Sequence, residues 1–218
     1  NNESDIGSND LRNWMLDALC INSLVKESTG LRDRIIFENV PSSHQFLTKL
    51  IQAIRDNRKV RVTYKGYTMG QEMTYELEPY FIREFKRRWY LYAHKDHDKE
   101  HEPHMYALDR MSEMEVLAET FEIPKSIDAE EWFSSIYGVR KYSDMKRERV
   151  VLKVYEKQVQ FFRSLPLHHS QEEIETQEEF SIFTYHLAPD YDFRQDILSF
   201  GDKVEVLKPE ELRNNFIE

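Results

Sequence analysis

The sequence predicts an α+β protein: N-terminal helices, a small antiparallel barrel or strongly bent sheet, then a ferredoxin-like split βαβ unit. Three observations predict it. Five short extended runs follow one another between residues 60 and 117, without a helix-period stretch among them, as in a small antiparallel sheet that closes or bends on itself. Beyond residue 148 the pattern runs strand, helix, strand, strand, helix, strand, the order of a split βαβ unit. Ahead of both lie two amphipathic stretches with apolar residues at helical spacing.

Each element has its own signal. Leu11, Trp14, Met15, Ala18, Leu19 and Val25 recur at helical spacing over residues 10–26. Residues 34–38 form a short strand candidate stopped by Pro41. Ser42 followed three residues later by Gln45 has the form of a capping box, and Phe46, Leu47, Leu50, Ile51 and Ile54 give residues 43–57 one apolar face. Residues 60–64 alternate as a half-buried strand does. Residues 74–85 are extended, and Pro79 within them predicts a bent or edge strand, because proline cannot donate to a ladder. Residues 89–93, 104–108 and 112–117 complete the set. Asp128 and Glu131 form a second capping box, opening a helix towards Gly138; residues 139–148 read as a polar linker. Then follow strands at 150–155, 168–175, 180–187 and 204–207. Helices at 158–165 and 190–200 lie between them, the latter closed by Gly201 at C′. Pro209 opens a last helix at N1.

Composition narrows the function. The 218 residues suffice for one or two domains with a real core. The 40% apolar and 13% aromatic content excludes a disordered chain. No run of 18 apolar residues spans a membrane, and the first residues lack the basic and apolar runs of a targeting signal. The single cysteine, Cys20, cannot form an internal disulfide, which fits a cytoplasmic protein. The chain begins at Asn1 without a methionine and is expected to be part of a longer protein.

The net charge of −10 is uneven. Residues 55–95 carry ten Lys or Arg against five acids, a net of +5; residues 96–145 carry five against thirteen, a net of −8. A local basic segment in an acidic chain attracts an anionic ligand while the remainder repels bulk nucleic acid. Within it, aromatics interleave with bases: Tyr80, Phe81, Arg83, Phe85, Lys86, Arg87, Arg88, Trp89, Tyr90 and Tyr92. Strand alternation puts Trp89, Leu91 and Ala93 on one face, the core face, and Arg88, Tyr90, Tyr92 and His94 on the other. The second set suits clamping phosphates and stacking on bases. Its structural alternative is that Tyr90 and Tyr92 pack against the neighbouring domain and Arg88 pairs with an acid. His94, His97, His101 and His104 read as the polar tip of a hairpin, not as a metal site. His168-His169 read as strand-start tips or part of an interface. No nucleophile elbow, HExxH, Cys–His pair or phosphate-cradling glycine loop is present, so no enzyme, metal or cofactor is expected.

Arg88-Trp-Tyr-Leu-Tyr-Ala93 resembles the signature of WYL-domain proteins. Residues 54–64, Glu78-Pro-Tyr80 and Tyr106-Ala-Leu-Asp-Arg110-Met111 resemble its flanking segments in the right order, and residues 201–213 resemble the C-terminal extension that often follows. The likeness covers residues 46–218 and leans towards the type seen in Bacteroidetes. It implies a bacterial transcriptional regulator with an Sm-like or SH3-like ligand-sensing barrel, a winged helix-turn-helix upstream of it, and anionic ligands. The implied domains are an N-terminal helix and connector (1–45), the WYL domain (46–120), a helix and linker (121–147) and the extension (148–218). Ala107 departs from the family, standing where many members carry a basic or polar residue. The expected partners are an anionic small molecule or single-stranded nucleic acid at the barrel, a second copy in a homodimer, and duplex DNA only through a domain outside this chain. A stand-alone nucleotide-binding module is the alternative, and a nucleotide or nucleic-acid hydrolase a further one. By strand phase, Tyr64, Arg88, Tyr90 and Arg110 are expected to line one pocket, with Arg83, Lys86, His94 and Tyr106 at its rim and Trp89 and Leu91 in the core.

Overall fold

The computed structural model describes residues 44–67, 70–95, 102–142 and 145–216. The predicted helix at 10–26, the strand at 34–38, Ser42, Cys20, His97 and His101 lie outside these residues.

Helix α1 (His44–Arg55) precedes strands β1 (Arg58–Tyr64), β2 (Met73–Phe85), β3 (Arg88–Lys95) and β4 (His104–Ala107). A 3₁₀ turn, Leu108–Arg110, leads into β5 (Met111–Thr120). The five strands form one antiparallel sheet in the order β4-β3-β2-β1-β5. Among the described residues β4 pairs only with β3 and β5 only with β1, so the expected barrel is an open sheet, not a closed one. Its two edges are nevertheless joined by three residues, which requires the sheet to curl strongly. Register shifts at Thr63/Tyr64 in β1 and at Pro79/Phe81 in β2 supply bends.

Pro79 corrects one expectation. Its strand, β2, is the central strand of the sheet. Proline is tolerated there because the β1 ladder starts at Leu77, so Pro79 lies beyond it, and its β3 side falls on the bulge. The β2–β3 connection is the two-residue turn Lys86-Arg87, with φ of 49° and 62°. Two positive φ values match the right-handed twist of a hairpin.

Helix α1 buries Phe46, Leu50 and Ala53 against Val60, Val62, Leu77, Leu91 and Leu108. Trp89 packs against this core partly buried, and Leu91 and Ala93 are wholly inside, as the strand phase predicts.

Helix α2 (Ala129–Phe133) is capped by Asp128, which accepts the Glu131 N–H at 2.8 Å. It ends five residues earlier than predicted, because residues 134–139 leave the helix in a turn followed by bends. Ile136 bridges Ala188 in parallel.

The second sheet comprises β6 (Glu148–Tyr155), β7 (Glu172–Thr176), β8 (Phe180–Leu187) and β9 (Val204–Lys208), in the order β7-β8-β6-β9, all antiparallel. Helices α3 (Gln158–Ser164), α4 (Tyr191–Ser199) and α5 (Glu210–Asn214) contribute Val159, Phe162, Phe193, Ile197 and Leu212 to its core. The strand expected from His168 starts only at Glu172, since His168 Nδ1 accepts the Ser170 N–H and holds a turn. Pro209 occupies the N-cap of α5 rather than N1. Among the described residues no helix is long and apolar enough to cross a membrane.

Candidate anion-binding site

The site is built where the end of β1, the start of β3 and the 3₁₀ turn after β4 meet. Lys65 N–H donates to the Arg110 carbonyl at 3.1 Å, which fastens the β1–β2 loop to the turn. Across the sheet Tyr90 pairs with Ala107, which sets Arg88, two residues earlier on the same face, beside Asp109. Arg88 Nη2 donates to the Asp109 carboxylate, with the acid nearly buried and the arginine about one third exposed. The Arg110 guanidinium lies 3.5 Å from the centre of the Tyr67 ring. A hydrogen bond from Arg88, reinforced by the charges of Arg110 and Arg88, holds the Tyr67 phenol below its ordinary pKa. Arg88 and Arg110 therefore converge on one aromatic ring. Beside Arg110 runs a groove of about 480 Å³, lined by Lys65, Tyr67, Glu72, Asp109, Arg110 and Ser112 among others, in the size range of small-molecule sites.

Burial alone would lower the Arg88 pKa; hydrogen bonds to Tyr67 and Asp109 outweigh it and raise it above the ordinary arginine value. Arg88 is thus a permanent cation. Its Nε and that of Arg110 are buried without a hydrogen-bond partner, as is one Asp109 carboxylate oxygen. Unsatisfied charged donors beside a groove favour an anion.

The other predicted residues divide. Tyr90 is buried against Tyr92, Ala107 and Val139, with its hydroxyl in the electrostatic field of Arg88, Asp109, Asp192 and Arg110. Burial raises its pKa, so it remains a neutral phenol. Tyr64 is a core residue whose hydroxyl accepts the Ala107 N–H at 3.4 Å. Tyr106 packs edge-on against it at 5.4 Å. The rest of the expected rim lies elsewhere. His94 is buried, 3.1 Å from Glu78 Oε2 and stacked on Tyr80. Lys86 pairs with Asp196 at 2.5 Å. Arg83 donates to the Tyr137 and Gly138 carbonyls, each at 2.8 Å, over the Phe133 ring. Arg83 serves the framework under residues 133–139, while Lys86 is committed to Asp196 and His94 to Glu78 and Tyr80. A second cavity, of about 560 Å³, adjoins Arg83, but that guanidinium is committed to backbone carbonyls.

Sequence reasoning missed Tyr67, Asp109 and Arg140. Arg140 hydrogen-bonds the Tyr142 hydroxyl and feels Tyr64 and Asp192, all of which raise its pKa. For Tyr67 a signal existed: an aromatic between Gly66 and Gly70, in a loop with no periodicity to bury it.

No curated protein matches the sequence. Solved structures do resemble the chain, two of them as follows. Proteasome accessory factor B/C (PafBC) of Arthrobacter aurescens is 17% identical with a TM-score of 0.41, over 84% of this chain and 27% of that one. A CRISPR Cas-related protein is 18% identical with a TM-score of 0.44, over 80% of this chain and 49% of that one. The chain thus spans about a quarter and about half of their lengths. Two family models match it, the WYL domain over residues 45–116 and the WCX domain over residues 146–218. Arg88 and Arg110 both fall inside the first, and this chain carries a WYL domain followed by a WCX domain.

Proposed function

We propose that this chain is the ligand-sensing and dimerisation part of a bacterial, cytoplasmic, DNA-binding transcriptional regulator. In this reading the WYL domain takes an anionic ligand, such as a nucleotide or single-stranded nucleic acid. The observation that carries it is the convergence of Arg88 and Arg110 on the Tyr67 ring at the edge of the groove. The match to WYL and WCX domains supports it. The curled first sheet supports an Sm-like or SH3-like fold. The β7-β8-β6-β9 order, with α3 and α4 as the crossovers, supports a ferredoxin-like second unit. The role is binding, not turnover: fixed guanidinium groups and neutral phenols recognise an anion without supplying a general base.

Calorimetric titration with adenosine 5′-monophosphate and with a short single-stranded oligonucleotide tests the reading. Saturable binding that weakens with salt is expected, and Arg110→Ala should abolish most of it. Absence of binding by either ligand at low ionic strength would overturn it.

A further inference from the structure

The cavity of about 560 Å³ beside Arg83 opens between three separate pieces of chain: β2, α2 with the turn that follows it, and the segment 166–169 between α3 and β7. It shares no lining residue with the groove beside Arg110. Its walls are largely apolar. Ile82 borders the core of the first sheet, Leu167 that of the second, and Phe133 the small cluster around Tyr92. All three stay half-buried, each at the margin of its own cluster, and the cavity lies where those margins meet.

One polar group in this wall lacks a partner. His168 is only 8% exposed. Its Nδ1 accepts the Ser170 N–H at 3.2 Å, and a backbone N–H can only donate. Burial lowers the His168 pKa to about 4, so the ring is neutral and its proton sits on Nε2. Nε2 is buried and bonds to no group among the described residues. A donor left in that state costs free energy until an acceptor reaches it. Arg83 adds a positive field: both of its acceptors are neutral backbone carbonyls, so no bonded carboxylate offsets its charge. Glu130, the one acid of the lining, is exposed, where salt screens it.

We propose that this cavity is a second ligand site, for a small monocarboxylic acid with an apolar body. The carboxylate accepts from His168 Nε2 in the field of Arg83, and the hydrocarbon lies against Ile82, Phe133 and Leu167. His169, exposed and with its ring centre 4.0 Å from that of His168, is the neighbour that turns aside as the ligand enters. An apolar pocket with a few convergent polar groups is the usual form of a small-molecule site. Because the walls come from both sheets, an occupant that binds only the folded chain also stabilises their junction. The site is separate from the anion groove and holds whether or not that groove takes a nucleotide.

The test titrates the 218-residue chain calorimetrically with octanoate, with acetate, which lacks the apolar body, and with octyltrimethylammonium, which carries the same tail on a cation. Octanoate should saturate and bind roughly 10- to 150-fold more tightly than octyltrimethylammonium, the range set by one charge-assisted hydrogen bond. Acetate should not saturate. His168→Phe, which keeps a ring and removes the donor, should bring octanoate to within a few-fold of octyltrimethylammonium. Ala129 lines the cavity at the first position of α2, where an acid suits the helix. Ala129→Glu should therefore fold and repel octanoate, and Ala129→Lys should retain it. Thermal melts control for folding, and if His168→Phe fails to fold the Ala129 pair carries the test. No saturable octanoate binding would overturn the site. Equal binding of the two tailed ligands would overturn the carboxylate, and octanoate binding unchanged by Ala129→Glu would overturn the location.

Discussion

Arg88 and Arg110 meet at one ring but are held differently, and this separates their expected behaviour. Arg88 is bonded to Asp109, whose side chain is only 11% exposed. Arg88→Ala therefore leaves a nearly buried carboxylate without its cation, and should cost stability of about 1–3 kcal/mol in addition to any ligand affinity. Arg110 stacks on an exposed ring. Arg110→Ala should weaken nucleotide binding by roughly 1.5–3 kcal/mol, the scale of a charge-assisted hydrogen bond, with little change in melting temperature. Calorimetry paired with thermal melts on both variants distinguishes the two. Equal destabilisation by both would contradict the division.

His168 makes a separate prediction. Burial, chiefly, lowers its pKa from 6.5 to about 4, and its Nε2 is buried without a partner. Since the folded value lies below the unfolded one, its contribution is fully present above about pH 6.5 and is lost as pH falls towards 4. Over that window the unfolded chain binds the additional proton. Denaturant unfolding measured between pH 7 and 4 should show stability falling by up to about 1.4 kcal/mol per pH unit from this group. His168→Gln should flatten the slope; an unchanged slope in that variant would assign it to other groups.

At the scale of elements, the decisive feature is the stretch Tyr137–Val139, which neither sheet owns. Its three carbonyls accept from side chains of the first sheet: Arg83 at residues 137 and 138, and the Tyr92 hydroxyl at residue 139, at 2.6 Å. Two of its N–H groups donate to the N-terminal end of α4, Gly138 to Asp190 at 2.6 Å and Val139 to Asp192 at 3.3 Å. Asp190 also caps α4 by accepting the Phe193 N–H. A buried backbone needs such partners, and here they join the two sheets. Gly138 fits because it has no side chain: a Cβ there would lie 2.1 Å from Asp192 Oδ2 and 2.6 Å from its Cβ. Gly138→Ala must displace the whole aspartate side chain and its bond to Val139. A loss of about 1–3 kcal/mol is expected, read as a fall of several degrees in melting temperature. A melting temperature within a degree of wild type would contradict the clamp.

For the whole molecule, charge is the governing quantity. A chain of net charge −10 should bind duplex DNA weakly, because duplex affinity comes from counterion release by clustered Lys and Arg. Several of its basic residues are spent internally: Arg61 bonds Glu76 and Glu115, Arg163 bonds Glu173, and Lys86 pairs with Asp196. Mobility-shift titration at 150 mM salt should show no tight, sequence-specific complex. Sedimentation at micromolar concentration should show a dimer, the symmetry that suits paired half-sites; a monomer would count against dimerisation by this part of the regulator.

Element order, both antiparallel sheets and the core face of β3 were legible in the amino-acid pattern. Period-two and period-3.6 patterns are local, and a strand signature in which Leu91 and Ala93 face inward leaves only one phase. The pattern also marked Arg88 and Arg110. The fates of the other face rested on contacts made after the chain had folded. Tyr92, Arg83 and His94 share the composition of a ligand surface, but the distant Tyr137–Val139 segment turned Tyr92 and Arg83 into hydrogen-bond partners, and Glu78 and Tyr80 of β2 took up His94. The same holds for Pro79, whose central position is tolerated because the neighbouring ladder stops short of it. Closure of the sheet was equally out of reach, since it depends on whether β4 meets β5. Tyr67 was legible only as a loop residue; its pairing with two arginines from β3 and the 3₁₀ turn exists only once the sheet has curled to bring them together.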